Sequence, residues 1–128
     1  MIYLDTSVVL ARVFKEDISP PDALWTEPLV SSLLLEYEVF NRILVRPRHT
    51  GQRETARRLL SRIRLLDMTP EILARALAPF PVAVRTLDGL HLATMDFLRA
   101  QGQTIRLATY DARFAAAAQA LGFELAAL

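Results

Sequence analysis

The chain contains no cysteine, so disulfide bridges, thiolate metal ligands and thiol nucleophiles are all excluded. A metal in this protein would have to be held by oxygen or imidazole ligands, which favours hard cations such as Mg²⁺ or Mn²⁺. The sequence also lacks a basic segment leading into an apolar run near Met1, and no apolar run reaches membrane-spanning length. We therefore expect a cytoplasmic protein that does not associate with membranes.

Length and composition favour one folded domain spanning residues 1–128. With 128 residues the chain is long enough to bury a core but short for two domains. Hydrophobic residues make up 52% of the chain and charged residues 23%, proportions that are typical of a globular protein and far from those of a disordered one.

Positive charge is concentrated in one segment, although the net charge is only +1. Residues 41–66 contain eight arginines and a single acidic residue, Glu54, which gives a local charge of +7 against −6 for the rest of the chain. Such asymmetry is compatible with a basic surface for a polyanion beside an acidic pocket for a metal. Arginines that only solvate two helix faces explain the pattern equally well, so both interpretations stay open.

Short apolar segments alternate with amphipathic ones along the whole chain. Strands are predicted at residues 2–4, 28–31, 64–68, 104–108 and 123–126. Helices are predicted at residues 6–14, 33–45, 51–64, 70–78, 86–100 and 111–121. The predicted helix caps are Ser32, Thr69, Thr86 and Asp111. This order indicates an α/β fold in which a mostly parallel sheet is covered by helices on both faces.

Four acidic residues occupy positions that an α/β sheet can bring together. Asp5 and Asp111 follow predicted strands, whereas Glu38 and Asp88 lie in predicted helices. Parallel strands present ligand-binding residues at their carboxyl edge, so these distant positions can meet there. Four carboxylates in one pocket would repel one another unless some were protonated or a cation neutralised them. We interpret the set as one divalent-metal site.

Several of these acids also have a purely structural explanation. Aspartates near helix starts accept backbone N–H bonds and complement the helix dipole, and taken singly this explanation is the simpler one for Asp5, Asp88 and Asp111. It is weaker for Asp88, because Thr86 is the better cap. Asp96 lies two turns beyond Asp88 and is interpreted as solvated rather than as part of the site.

The middle helix offers two acids, Glu36 and Glu38. At 100° per residue, Glu38 shares a polar arc with Asn41 and Arg42, whereas Glu36 falls among apolar residues. These polar residues could serve a function, or Glu38 and Arg42 could simply form an ion pair on a solvated face; both explanations fit equally well. Helical periodicity alone leaves the choice open.

The two histidines, His49 and His91, are far apart in sequence. Neither has the spacing of a metal ligand. We expect His91 to be partly buried and hydrogen-bonded, and we assign neither imidazole to a catalytic set.

Four motifs follow one another along the chain. They are Tyr3-Leu4-Asp5-Thr6-Ser7, then Ser31-Ser32 ahead of Glu38, then RTLDGLHLAT from Arg85 to Thr94, and finally Thr109-Tyr110-Asp111. In their order and spacing the chain resembles the PIN-domain ribonucleases, and among them the VapC toxins of bacterial toxin–antitoxin pairs, over nearly its whole length. The departures are small, since Gly89 stands where alanine is usual and Met95-Asp96 replaces a small apolar pair.

The resemblance implies a PIN-like fold, in which a mostly parallel five-stranded sheet is flanked by helices on both faces. It implies that the four acids form the catalytic and metal-binding site, with Mg²⁺ or Mn²⁺ as the cofactor. It also favours Glu38 over Glu36. Because Mg²⁺ keeps several waters, we expect Asp5 and Asp111 to be direct ligands, and Glu38 and Asp88 to act partly through water.

The resemblance further implies an RNA substrate and two kinds of protein contact. Thr6, Ser7 and Thr109 match hydroxyl positions that orient carboxylates or approach the phosphate. Arg53 and Arg57 are our candidates for binding RNA phosphates without reading the sequence. The implied partners are a cognate VapB-type antitoxin, whose arginine or lysine would enter the acidic pocket, and a second copy of the chain in a homodimer.

Two alternatives compete with this interpretation. A PIN-like domain that binds RNA without cutting it is one, although all four acids are present. A Mg²⁺-dependent phosphotransfer domain of receiver or dehalogenase type is the other. A dehalogenase site needs a second aspartate where Ser7 stands, and a receiver needs a lysine at a late strand end, whereas the only lysine is Lys15.

Overall fold

The computed structural model describes residues 1–128, which form five strands and six α-helices. The strands are β1 (Ile2–Leu4), β2 (Leu29–Ser32), β3 (Arg64–Leu66), β4 (Arg106–Ala108) and β5 (Glu124–Leu125). The helices are α1 (Thr6–Val13), α2 (Leu34–Leu44), α3 (Thr50–Leu60), α4 (Pro70–Leu77), α5 (Thr86–Ala100) and α6 (Ala112–Ala120), with a short 3-10 helix at Asp22–Thr26. None of the helices combines the length and the apolar character that crossing a membrane requires.

All neighbouring strands run parallel, in the order β3, β2, β1, β4, β5. The chain starts at the centre of the sheet, builds one half outward and then returns to build the other half. The strand order therefore reverses between β1 and β4, where parallel α/β sheets open a crevice beyond the carboxyl ends of their strands. This topology confirms the predicted fold with its parallel five-stranded sheet.

Residues of the central strand alternate between the two faces of the sheet. Ile2 and Leu4 pack in a core with α1, α2 and α3, whereas Tyr3 packs in a second core with α5 and α6. All three side chains are buried, as expected for a parallel strand covered on both sides. The predicted helical cover of both faces is confirmed.

Several predicted boundaries are wrong by a few residues. Helix α3 ends at Leu60 rather than Arg64, because the Ser61 hydroxyl donates to the Arg58 carbonyl at 2.7 Å and the chain leaves the helix in tight turns. The strands β3, β4 and β5 are each two residues shorter than predicted. These differences leave the order of elements unchanged.

The predicted caps have mixed outcomes. Thr69 caps α4 as predicted, since its hydroxyl accepts the N–H of Ile72 at 3.3 Å. Thr86 does not cap α5 but is its first helical residue. The extended residue before it is Arg85, whose carbonyl accepts the N–H of Gly89 at 2.9 Å. The side chain at this cap is therefore an arginine, and it lies beside the candidate site described next.

Candidate active site

A cavity of about 440 Å³ opens beyond the carboxyl end of β1, between α2 and the start of α5. All four predicted acids, Asp5, Glu38, Asp88 and Asp111, line this cavity. They come from the ends of β1 and β4 and from two helices, so the reversal of strand order is what brings them together.

Asp5 combines a structural role with a position in the cavity. Its Oδ2 accepts the Ser7 backbone N–H at 3.4 Å, which caps α1, and also the hydroxyls of Ser7 at 2.6 Å and Thr109 at 2.7 Å. Its Oδ1 has no hydrogen-bond donor within the chain. Capping and cavity lining, which the sequence offered as alternatives, therefore occur together at this residue.

The three predicted hydroxyls have different surroundings. Ser7 and Thr109 link the ends of β1 and β4, because Ser7 Oγ accepts the Tyr110 N–H at 3.0 Å and Thr109 Oγ1 donates to Asp5. Thr109 Oγ1 also accepts the Asp111 N–H at 3.0 Å. Thr6 lines the cavity, and its buried Oγ1 has no hydrogen-bond partner in the chain. A buried hydroxyl without a partner in the chain is rare in folded proteins.

Asp111 is shared between α6 and an arginine. Its Oδ1 caps α6 by accepting the N–H groups of Arg113 at 2.9 Å and Phe114 at 3.2 Å. Its Oδ2 accepts from Arg85 Nη2 at 2.7 Å. Arg85 was not among the predicted site residues, although it opens the motif that contains Asp88.

Asp88 lies in the first turn of α5 and is mostly shielded from solvent. Arg85 Nε lies 3.4 Å from its Oδ2, so one guanidinium pairs with both Asp88 and Asp111. Burial, joined by the charges of Asp111 and Asp5, raises the pKa of the Asp88 carboxyl above its ordinary value in spite of the neighbouring Arg85. The cavity lining contains four acids against two arginines, Arg42 and Arg85, so its formal charge is negative.

The structure places Glu38, and not Glu36, on the cavity. Glu36 is exposed on the other side of α2, where it lines a separate groove with Phe40. Glu38 does not pair with Arg42, one turn along the helix. It pairs instead with His91, whose Nε2 lies 2.5 Å from Glu38 Oε1. His91 is hydrogen-bonded as predicted, but it is fully buried rather than partly buried.

The cavity is lined by arginines other than the two predicted for phosphate binding. Arg42 and Arg85 line it, whereas Arg53 and Arg57 lie outside it on α3. Arg57 is 3.7 Å from Glu54 and stacks over an aromatic ring of α2. The role of Arg53 and Arg57 in RNA binding stays a prediction, and it concerns the surface of α3 rather than the cavity.

Asp96 does not line the cavity, but it is not simply solvated either. Its carboxylate accepts from Arg75 Nε at 2.6 Å and from Arg99 Nη2 at 2.8 Å. The first bond crosses from α5 to α4. The interpretation of Asp96 as a solvated residue is therefore wrong, because a basic residue of another helix lies opposite it.

The cavity residues fit a hydrated hard cation better than a tightly caged one. No three Asp, Glu or His side chains converge closely enough to enclose an ion directly. The available ligands are nevertheless carboxylate oxygens, including the Oδ1 of Asp5, which has no donor within the chain. Magnesium takes few protein oxygens directly and keeps several waters, so a wide acidic cavity suits it. Mn²⁺ prefers the same oxygen ligands.

A family model and two known proteins match nearly the whole chain. Residues 2–124 match the family model of the PIN domain. The chain is 36% identical over 132 residues to ribonuclease VapC46 of Mycobacterium tuberculosis, with 98% of this chain and 96% of that protein covered. It is 28% identical over 130 residues to ribonuclease VapC47 of the same species, with 96% and 93% covered.

Two solved structures share the fold. A crystal structure of VapBC2 from Rickettsia felis, bound to a DNA fragment from their promoter, matches with a TM-score of 0.70 at 16% identity, covering 98% of both chains. A toxin–antitoxin complex from Klebsiella pneumoniae matches with a TM-score of 0.60 at 21% identity, covering 87% of both chains. At these identities the similarity concerns the arrangement of helices and strands.

Proposed function

The chain belongs to the PIN-domain family, and from that premise we propose that it is a VapC-type endoribonuclease toxin whose activity depends on Mg²⁺ or Mn²⁺. In this proposal residues 1–128 form one PIN domain that hydrolyses RNA phosphodiester bonds in the cytoplasm. The observation that carries it is the convergence of Asp5, Glu38, Asp88 and Asp111 on one cavity. Because the chain belongs to this family, we assign the four carboxylates to nuclease chemistry.

The carboxylate oxygens that have few hydrogen-bond donors are the proposed direct metal ligands. Asp5 Oδ1 has no donor in the chain and Asp111 Oδ2 is held only by an exposed arginine, so these two acids are the proposed direct ligands. Glu38 and Asp88 would act partly through water. When bound, a divalent cation supplies a water of lowered pKa and offsets charge that develops on the phosphate.

The surrounding residues orient the carboxylates and bind the substrate. Ser7 and Thr109 donate to one oxygen of Asp5 and so keep the other directed away from them. Arg42 and Arg85 line the cavity, where they would neutralise RNA phosphates. Such contacts position the RNA without reading its sequence. The expected products carry a 3′-hydroxyl and a 5′-phosphate.

The test is cleavage of total RNA by the purified protein with Mg²⁺, with Mn²⁺ or with EDTA, followed by mapping of the fragment ends. We expect metal-dependent cuts that Asp5→Asn reduces by about 100-fold or more, because the substitution removes the charge that would hold the cation. Asp111→Asn should behave in the same way. Asp17→Asn, the same change at an exposed acid outside the cavity, should cut normally.

Two results would contradict the proposal. Normal cleavage by folded Asp5→Asn and Asp111→Asn proteins would exclude these acids from the site. Cleavage that survives EDTA would exclude the metal dependence. Circular dichroism and thermal unfolding of each variant establish that lost activity does not reflect lost structure.

The proposed partners are a VapB-type antitoxin and a second copy of the chain. One structural neighbour is a toxin–antitoxin complex and the other is VapBC2. The acidic cavity would accept an arginine or lysine of an antitoxin in place of the cation. Loss of RNA cleavage on adding the product of a short neighbouring reading frame would support inhibition. Analytical ultracentrifugation of the isolated protein tests the homodimer.

A further inference from the structure

A buried chain of hydrogen bonds connects the sheet to Glu38. The Tyr3 hydroxyl lies 2.7 Å from His91 Nδ1, and His91 Nε2 lies 2.5 Å from Glu38 Oε1. Tyr3 is fully buried and His91 is 1% exposed, while the Glu38 side chain is 15% exposed at the cavity. The chain of bonds runs from β1 through α5 to α2, three elements that are distant in sequence.

For a neutral imidazole, the hydrogen-bond partners indicate which nitrogen of His91 carries the proton. An ionised carboxylate only accepts hydrogen bonds, so Nε2 must be the donor to Glu38. In a neutral imidazole Nδ1 is then the acceptor, and the Tyr3 hydroxyl donates to it. Both ring nitrogens are therefore satisfied, which explains how a polar ring is tolerated on a helix face that also carries Leu92 and Met95.

Glu38 depends on this bond for its orientation. Within the chain its carboxylate has no hydrogen-bond partner other than His91, and its flexible side chain could otherwise adopt several rotamers. Three further carboxylates line the same cavity, and their repulsion favours rotation of Glu38 towards solvent. A buried donor on Oε1 opposes that rotation and leaves Oε2 available to the cavity.

We propose that His91 is a positioning residue for the nuclease site, acting through Glu38, with Tyr3 holding the imidazole in the required tautomer. The inference rests on the proposed function for its effect on catalysis. The hydrogen-bond chain itself can be tested in the free protein. The hydrogen-bond chain and its effect on catalysis are therefore tested separately.

The decisive comparison is between substitutions that keep and remove the donor. In His91→Gln the amide nitrogen can take the place of Nε2, whereas in His91→Asn it is too short to reach Glu38 and in His91→Leu there is no donor. Met95→Ala damages the same buried face of α5 without touching Glu38 and controls for general destabilisation. Thermal unfolding identifies variants that fold.

Binding of Mn²⁺ alone, followed by electron paramagnetic resonance, and the separate kcat and KM for an RNA oligonucleotide are the readouts. We expect His91→Asn and His91→Leu to lose about tenfold or more in Mn²⁺ affinity and in kcat, as for other groups that orient metal-binding side chains. His91→Gln should recover most of both, and Met95→Ala should keep both. If His91→Leu does not fold, the comparison of Gln with Asn decides.

Long-range ¹H–¹⁵N spectra of the imidazole test the tautomer directly. We expect a protonated Nε2 and an unprotonated Nδ1 in the free protein, and a mixture of tautomers in Tyr3→Phe. Equal Mn²⁺ affinity and kcat in the Gln, Asn and Leu variants would overturn the inference while leaving the nuclease intact. A wild-type protein that cuts no RNA would instead overturn the proposed function, and the spectra and Mn²⁺ binding would still decide the role of His91.

Discussion

At the scale of single residues, Arg85 has the most consequential position in the cavity. Its guanidinium lies 2.7 Å from Asp111 and 3.4 Å from Asp88, two of the proposed metal-binding acids. The Arg85 side chain is 55% exposed, and an ion pair of that kind contributes only about 0.2–1 kcal/mol. Under the proposed function, a divalent cation would displace Arg85 and free its guanidinium for an RNA phosphate.

This arrangement predicts opposite effects of Arg85→Ala on metal binding and on cleavage. Mn²⁺ should bind the variant several-fold more tightly, because no side-chain cation competes for the two aspartates. RNA cleavage should nevertheless fall by about tenfold, the cost of losing one charged hydrogen bond to the phosphate. Calorimetric titration with Mn²⁺ and cleavage of an RNA oligonucleotide measure the two quantities.

Arg42→Ala is the matched control, because it removes a charge from the same cavity without breaking an ion pair to either aspartate. It should weaken RNA cleavage. It should also raise the Mn²⁺ affinity, but by less than Arg85→Ala does. Identical Mn²⁺ affinity in wild type and Arg85→Ala would mean that the arginine does not compete for the site.

The acids of the cavity could be predicted from sequence more fully than their partners. Asp5 follows β1 directly and Asp111 lies three residues beyond β4, so local pattern and parallel topology place them at the same edge. The partner of Glu38 lies 53 positions away at His91, and the partner of Asp111 lies 26 positions away at Arg85. No periodicity specifies such pairs, because they depend on how α2, α5 and the end of β4 meet in space.

At the scale of elements, Asp96 ties α5 to α4. It accepts from Arg75 of α4 and from Arg99, one turn further along α5. Burial alone would raise the pKa of the Asp96 carboxyl, but hydrogen bonds from Arg75 and Arg99 hold it below its ordinary value. The folded state therefore favours the ionised carboxylate.

A depressed pKa in the folded state contributes stability that is present above the unfolded-state pKa of 3.8 and is lost as the pH falls through the folded-state pKa. At neutral pH, Asp96→Asn should lower the free energy of unfolding by about 1 kcal/mol and the Tm by about 4 °C. The difference from wild type should shrink as the pH falls below 3.8. Thermal unfolding followed by circular dichroism over a pH series measures it.

Asp22→Asn provides the comparison for Asp96, because Asp22 pairs with Arg12 while its own side chain is 91% exposed. It should change the Tm little at any pH. A constant difference between Asp96→Asn and wild type over the whole pH series would attribute the effect to packing rather than to ionisation.

The helices could be predicted from local signals, but several of their ends could not. Apolar periodicity and the Thr69 cap identified α4, and Gly122, with a φ of +86°, follows α6 as a residue suited to left-handed backbone. The end of α3 at Leu60 depends on a serine that bonds back to the helix, whereas serine is favoured mainly at helix starts and in turns. The order and type of the helices were therefore predictable, whereas their lengths were not.

At the scale of the whole molecule, positive and negative charge are separated. The four acids line the cavity, while most of the arginines of residues 41–66 lie on and around α3. RNA would meet the acidic cavity only if a basic surface beside it offset the repulsion of the phosphates. Arg42 belongs to this arginine-rich segment and also lines the cavity.

If α3 provides that surface, Arg53→Ala combined with Arg57→Ala should weaken RNA binding and reduce its salt dependence. Loss of two phosphate contacts to single-stranded RNA lowers the slope of log K against log salt by about 1.4. Fluorescence anisotropy with the inactive Asp5→Asn protein as background measures the slope without cleavage. Arg12→Ala with Arg106→Ala removes the same charge from arginines that are paired with acids elsewhere, and should leave the slope closer to its original value. An unchanged slope in the α3 variant would assign Arg53 and Arg57 to solvation of their helix and move the phosphate-binding surface to the arginines of the cavity wall.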